Sequence, residues 1–121
     1  MTKFQLDLDT DNNETIEWDG DWLRIELTKA HAVEMAGWIR AAVKHSDFIE
    51  LGGNVSTQRV WLLNWRNDSN AVDDSDWGFQ YTSEIAREFV RGILVSVKKG
   101  AEPTIEIQAN RSTGEVQITD D

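Results

Sequence analysis

The 121-residue chain has no cysteine, which removes disulfide staples, cysteine-ligated zinc and thiol nucleophiles together. Histidine is almost as scarce. His31 and His45 sit in one helical segment, on the order of 21 Å apart at 1.5 Å per residue, too far to share a metal ion. No apolar run approaches the roughly 20 residues of a membrane span. The opening Met-Thr-Lys-Phe-Gln-Leu-Asp-Leu-Asp lacks the apolar core of a signal peptide. Gly52-Gly53 is not followed by the spacing of a Walker or dinucleotide loop, and no serine sits in a Gly-x-Ser-x-Gly elbow. These absences predict a soluble cytoplasmic protein that is not an enzyme and uses neither metal nor cofactor.

What is present is acid. Asp and Glu number 22 against 12 Lys and Arg, a net charge of −10, and the surplus comes in blocks. Residues 1–26 carry eight carboxylates against Lys3 and Arg24, 68–88 carry six against Arg87, and 101–121 carry five against Arg111. The stretches 27–66 and 89–100 are mildly basic. Such a field repels nucleic acid and attracts basic surfaces. Six Trp and four Phe argue against disorder, and the length fits one domain spanning 1–121.

Periodicity predicts an α+β fold. Phe4, Leu6 and Leu8 alternate with polar residues. Ile16 and Trp18 lead to Asp19-Gly20, a type I′ hairpin signal, and Leu23, Ile25 and Leu27 follow as the inner face of a third strand. The expectation is a three-stranded antiparallel meander with an acidic outer face. From Thr28 the period becomes helical, with Ala32, Met35, Ala36, Ile39, Ala42 and Val43 on one stripe. That helix should end near Ser46, and Gly52-Gly53-Asn54 reads as a break. Residues 48–51 fit a strand or a loop. Arg59–Arg66 is apolar on both faces and should be a central strand. An acidic loop over 67–78 precedes a second amphipathic helix, striped by Ile85, Ala86, Phe89, Val90, Ile93 and Val97 and stopped by Gly100 and Pro103. A C-terminal hairpin turns around Asn110–Gly114. The sheet, then, combines meander, central strand and hairpin, packed with two helices.

Three constellations carry chemistry. Asp7, Asp9 and Asp11 have the alternation of a calcium loop, but such a loop needs Gly at position 6 and Glu at position 12. From Asp7 those positions hold Asn12 and Trp18, and from Asp9 they hold Glu14 and Gly20, so both frames fail. Asp68, Asp73, Asp74 and Asp76 repel one another unless solvated or facing a cationic partner. A solvated loop is the ordinary explanation, and a contact surface for Lys or Arg the functional one. Trp22 and Trp77 lie beside carboxylates, as binding anchors do, although Trp18 and Trp22 also suit a cross-strand pair closing the hairpin.

Together these features predict a small acidic binding protein, an inhibitor of a basic nucleic-acid-handling protein or protein–nucleic-acid complex. Nucleic-acid mimics, phage counter-defence proteins and toxin-immunity proteins fit that description. The chain would bind neither nucleic acid nor membrane directly. Its oligomeric state is open, a homodimer included. The predicted contact residues are Asp7, Asp9, Glu17, Asp21, Trp22, Glu26, Asp68, Asp73, Asp74, Asp76 and Trp77. The alternatives are an assembly subunit joined through strand edges and a hydrolase built on a carboxylate pair.

Overall fold

A computed structural model describes residues 3–64, 77–100 and 102–119, with Trp77 placed by its backbone alone. The chain runs β1 (Lys3–Asp7), a short 3-10 turn (Thr10–Asn12), β2 (Thr15–Asp19), β3 (Trp22–Thr28), α1 (Lys29–Ala42), β4 (Phe48–Asn54) and β5 (Arg59–Asn64). It continues through β6 (Trp77–Thr82), α2 (Ser83–Lys99), β7 (Thr104–Asn110) and β8 (Val116–Thr119). The fold is α+β, with two helices and two four-stranded antiparallel sheets. The first sheet is ordered β1-β5-β4-β6 and the second β2-β3-β7-β8.

The N-terminal strands therefore do not form one meander. Asp9 caps the 3-10 turn, Asn13 takes a left-handed φ of 64°, and the chain swings from one sheet to the other. β1 pairs with β5 (Phe4 opposite Leu62, Leu6 opposite Val60), while β2 pairs with β3 in the expected hairpin. The two-residue turn is Gly20-Asp21, closed by the Asp19–Trp22 pair, rather than Asp19-Gly20. Only Gly20 needs a positive φ, 62°, which is the pattern of a II′ turn. β5 is central, as its two apolar faces require.

Gly52 and Gly53 do not break the chain but lie inside β4, opposite Trp61 and Val60. A Cβ at Gly52 would stand 2.7 Å from the Trp61 indole nitrogen, so only glycine lets that ring lie against the strand. Residues 79–81, left without structure by the sequence pattern, belong to β6, which pairs with β4. α1 ends at Ala42, earlier than expected.

Threonine starts both helices. The Thr28 hydroxyl accepts from the His31 N–H at 3.3 Å, and Thr82 accepts from Ile85 at the same distance. Each helix presses an apolar stripe onto the inner faces of the sheets, and the buried residues join one cluster drawn from both sheets. Trp38 of α1 meets Phe4 of β1 with ring centroids 6.4 Å apart, and Phe89 of α2 meets Tyr81 of β6 at 6.2 Å. Ile85, expected in the α2 stripe, is instead 45% exposed. Trp61 and Leu63 are buried on the other face of the first sheet, outside that cluster. No helix among the described residues is long and apolar enough to cross a membrane.

Two side chains stitch the sheets together. Gln58, in the β4–β5 turn, accepts from the Ile16 N–H at 3.1 Å and donates to the Ile16 carbonyl at 2.8 Å, standing in for a strand neighbour. Glu14 is fully buried at the same seam. Its carboxylate accepts from the Asp9 and Thr28 N–H groups at 3.0 Å each, from the Thr28 hydroxyl at 3.1 Å and from His31 Nδ1 at 2.5 Å. Burial pushes the Glu14 carboxyl up, but those four donors outweigh it and hold the group below its ordinary value.

Candidate partner-binding face

The outer face of the second sheet is where the strand-borne acids meet. Alternation along β3 turns Leu23, Ile25 and Leu27 inward, leaving Trp22, Arg24 and Glu26 outward. On β2 the outward residues are Thr15, Glu17 and Asp19, and on β7 they include Glu106 and Gln108. Register then sets Glu17 beside Arg24 and Glu26 directly opposite Glu106.

Like charges facing each other across a strand pair are unfavourable unless something neutralises or binds them. Here three polar side chains do so, Arg24, Gln108 and Thr104. Arg24 forks onto Glu106, with Nη2 at 2.6 Å and Nε at 3.0 Å from one carboxylate oxygen, and Gln108 donates to the other at 2.6 Å. Glu26 accepts from the Thr104 hydroxyl at 2.9 Å. Charge-assisted bonds of this kind are short and directional, so Glu26 and Glu106 are held in fixed positions. Arg24 reaches Glu17 and Asp19 only loosely, at 3.8 and 3.9 Å, and both carboxylates are exposed. Three carboxylates, Glu17, Asp19 and Glu106, therefore share one guanidinium on this face, and Glu26 lies beside them on Thr104.

Of the predicted contact residues, Glu17, Trp22 and Glu26 come together here. Asp21 lies at the rim, in the β2–β3 turn, 3.3 Å from Arg111. Asp7 and Asp9 do not join them. Asp7 is on the first sheet, where Arg59 holds it at 2.7 Å, and Asp9 accepts from the Asp11 N–H and the Asn12 amide. Both are occupied locally, and the acidic outer face expected for all three N-terminal strands shrinks to two of them, extended by β7. Asp68, Asp73, Asp74 and Asp76 lie outside the described residues, and Trp77 begins β6 with its backbone opposite Gly53. Trp18 and Trp22 occupy opposite faces of the hairpin and make no pair. Trp18 points inward with the Arg111 guanidinium 4.7 Å from its ring centroid, and Trp22 points outward, half-buried.

Family models, curated proteins and solved structures give no match to this chain. The face must speak for itself.

Sequence reading missed Asp19, Glu106 and Arg24. The Asp19-Gly20 dipeptide reads as a turn, whereas Asp19 ends β2 opposite Trp22. Glu106 lies 80 residues from Glu26 in sequence, and only the β3–β7 register brings the two together. Among the described residues no cluster of three or more potential metal ligands occurs. The chemistry available on this face is the presentation of fixed negative charge beside one aromatic side chain, Trp22.

Proposed function

We propose that the chain is a non-enzymatic binding protein that presents the outer face of its second sheet to a basic protein surface. The partner class we favour is a nucleic-acid-handling protein, whose cationic cleft the carboxylates would occupy in place of phosphates. The observation that carries this reading is the gathering of four carboxylates on one sheet face: Glu17 and Asp19 exposed beside Arg24, Glu26 held by Thr104, and Glu106 buried beneath the Arg24 guanidinium. A backbone fixed in a sheet sets where these side chains start from, so less reordering is needed when they meet a partner, which lowers the cost of association. B-DNA carries one negative charge per roughly 1.7 Å of axis, so any substitute must display its acids densely on one surface. Localisation in the cytoplasm belongs to the same reading. A second reading, an assembly subunit, draws on the edge strand β8 of the second sheet, which could accept an added strand, whereas Gln58 already pairs with the β2 edge at Ile16.

Affinity capture from cell lysate, run at about 50 mM and about 300 mM salt, separates the two. A basic nucleic-acid-binding protein held at low salt and released at high salt is the expected result, because screening acts over about 10 Å at 0.1 M. Capture of the chain's own copies alone, or of a partner indifferent to salt, would contradict the charge-based reading.

A further inference from the structure

A second surface has the opposite sign. Between the C-terminal part of α1 and the outward side of α2 lies an open groove of about 760 Å³. Val43, Val90 and Leu94 form apolar wall, and Val95, 45% exposed, adds to it. Five cations line the same groove: Arg40 from α1, Lys44 from the turn just after it, and Arg87, Arg91 and Lys98 from α2. Arg87 reaches the Val43 carbonyl at 3.5 Å, the limit of a hydrogen bond. Among the described residues, the arginines with carboxylate partners are Arg24, Arg59 and Arg111, all on strands or turns, and no ion pair involves the groove cations. In a chain of net charge −10, so many cations gathered without a carboxylate is the reverse of what composition would scatter.

We propose that this α1–α2 groove docks an acidic amphipathic helix of a partner protein. The cations on α2 run from Arg87 to Lys98, about 16 Å at 1.5 Å per residue, and α1 supplies a second flank. An occupant must therefore carry several negative charges along its length and apolar groups between them. A helix with apolar residues at i, i+3 or i+4, and i+7, flanked by Asp or Glu, meets both needs. A single-headed amphiphile would neutralise one or two cations and leave the rest facing one another. Nucleic acid would satisfy the cations but not the valine and leucine wall, and no aromatic residue lines the groove for a base to stack on. A helix of a second copy is a poor fit as well. α1 carries Glu34 as its only acid, and on α2 Glu84 and Glu88 are outnumbered by cations.

The test is selection from a displayed library of 16-residue peptides with glutamates fixed along two helical flanks and the intervening positions randomised. Each selection is run against the parent protein and against Arg91→Glu/Lys98→Glu. Both substitutions replace exposed helix-surface side chains, and circular dichroism with a thermal melt checks that the variant folds. The expected result is enrichment of amphipathic sequences. These should bind the parent at least ten-fold more tightly than the variant, lose affinity as salt rises, and weaken against Val95→Asp at the exposed apolar position. Equal enrichment on parent and variant overturns the proposal, as does equal binding of scrambled peptides of the same composition. So does a result in which phosphatidylserine vesicles or a 20-nucleotide single strand bind in an Arg91- and Lys98-dependent way while no peptide does. Self-association in sedimentation velocity that the double reversal abolishes would assign the groove to a second copy instead.

Discussion

Replacing Glu14 with alanine should cost this protein about 3 kcal/mol or more, because it leaves the Asp9 and Thr28 N–H groups buried without an acceptor where the two sheets meet. Equilibrium denaturant melts measure the loss, and less than about 1 kcal/mol would mean the seam reorganises around water. Glu14→Gln keeps the volume and one acceptor oxygen but turns the other position into a donor, so it should fall between parent and alanine. The pH dependence has a definite sign. The Glu14 carboxyl is held below its ordinary value of 4.5, so at pH values between the two the unfolded chain binds a proton that the native protein does not. The carboxylate's contribution is complete above the ordinary value and fades as pH falls through the lowered native one. Acid melts below about pH 4.5 should therefore show a steeper loss in the parent than in Glu14→Gln. Parallel acid limbs would assign the parent's acid sensitivity to other carboxylates.

Ile93→Ala should cost about 2–5 kcal/mol, the usual loss when a buried aliphatic side chain is truncated and its neighbours relax only partly. Ile93 has no exposed surface and sits on α2 within the cluster shared by both sheets. Leu63→Ala probes the other face of β5, where Leu63 is 4% exposed and outside that cluster. A loss of similar size is expected there. Losses under half a kilocalorie at both sites would contradict the packing described for α2 and β5.

What the sequence disclosed, it disclosed through local rules. Period-two alternation placed Leu23, Ile25 and Leu27 inward, period 3.6 placed Met35 and Ile39, and the change of period at Thr28 marked the start of the first helix. The failures are non-local. Phe4 and Leu6 alternate like any half-buried strand, but nothing in that pattern says they pair with Leu62 and Val60 rather than with β2. Gly52-Gly53 resembles a turn because glycine is common in turns. Its actual reason is the Trp61 indole packed against Gly52, a contact across strands. The same limit governs the candidate sites. Glu17, Arg24 and Glu26 could be read as outward residues of the hairpin, whereas Glu106 required the β3–β7 register. The basic stretches 27–66 and 89–100 were visible as charge blocks. That Arg40, Lys44, Arg91 and Lys98 share one groove with an apolar wall depends on how α1 and α2 pack, which no local pattern encodes.

The most direct measurement is the association rate of the captured basic partner with Glu17→Lys/Asp19→Lys/Glu26→Lys, followed by stopped flow across a salt series. Glu17 and Asp19 are exposed and only loosely paired, and Glu26 gives up one hydroxyl contact, so the variant should fold. Steering by a charged face is a rate effect that salt erodes, and reversing three charges on that face removes it. The prediction is an association rate at least ten-fold lower than the parent's at about 50 mM salt, with a flatter dependence on ionic strength. A folded variant that associates as fast as the parent, with the same salt slope, would contradict binding through the acidic face of the second sheet.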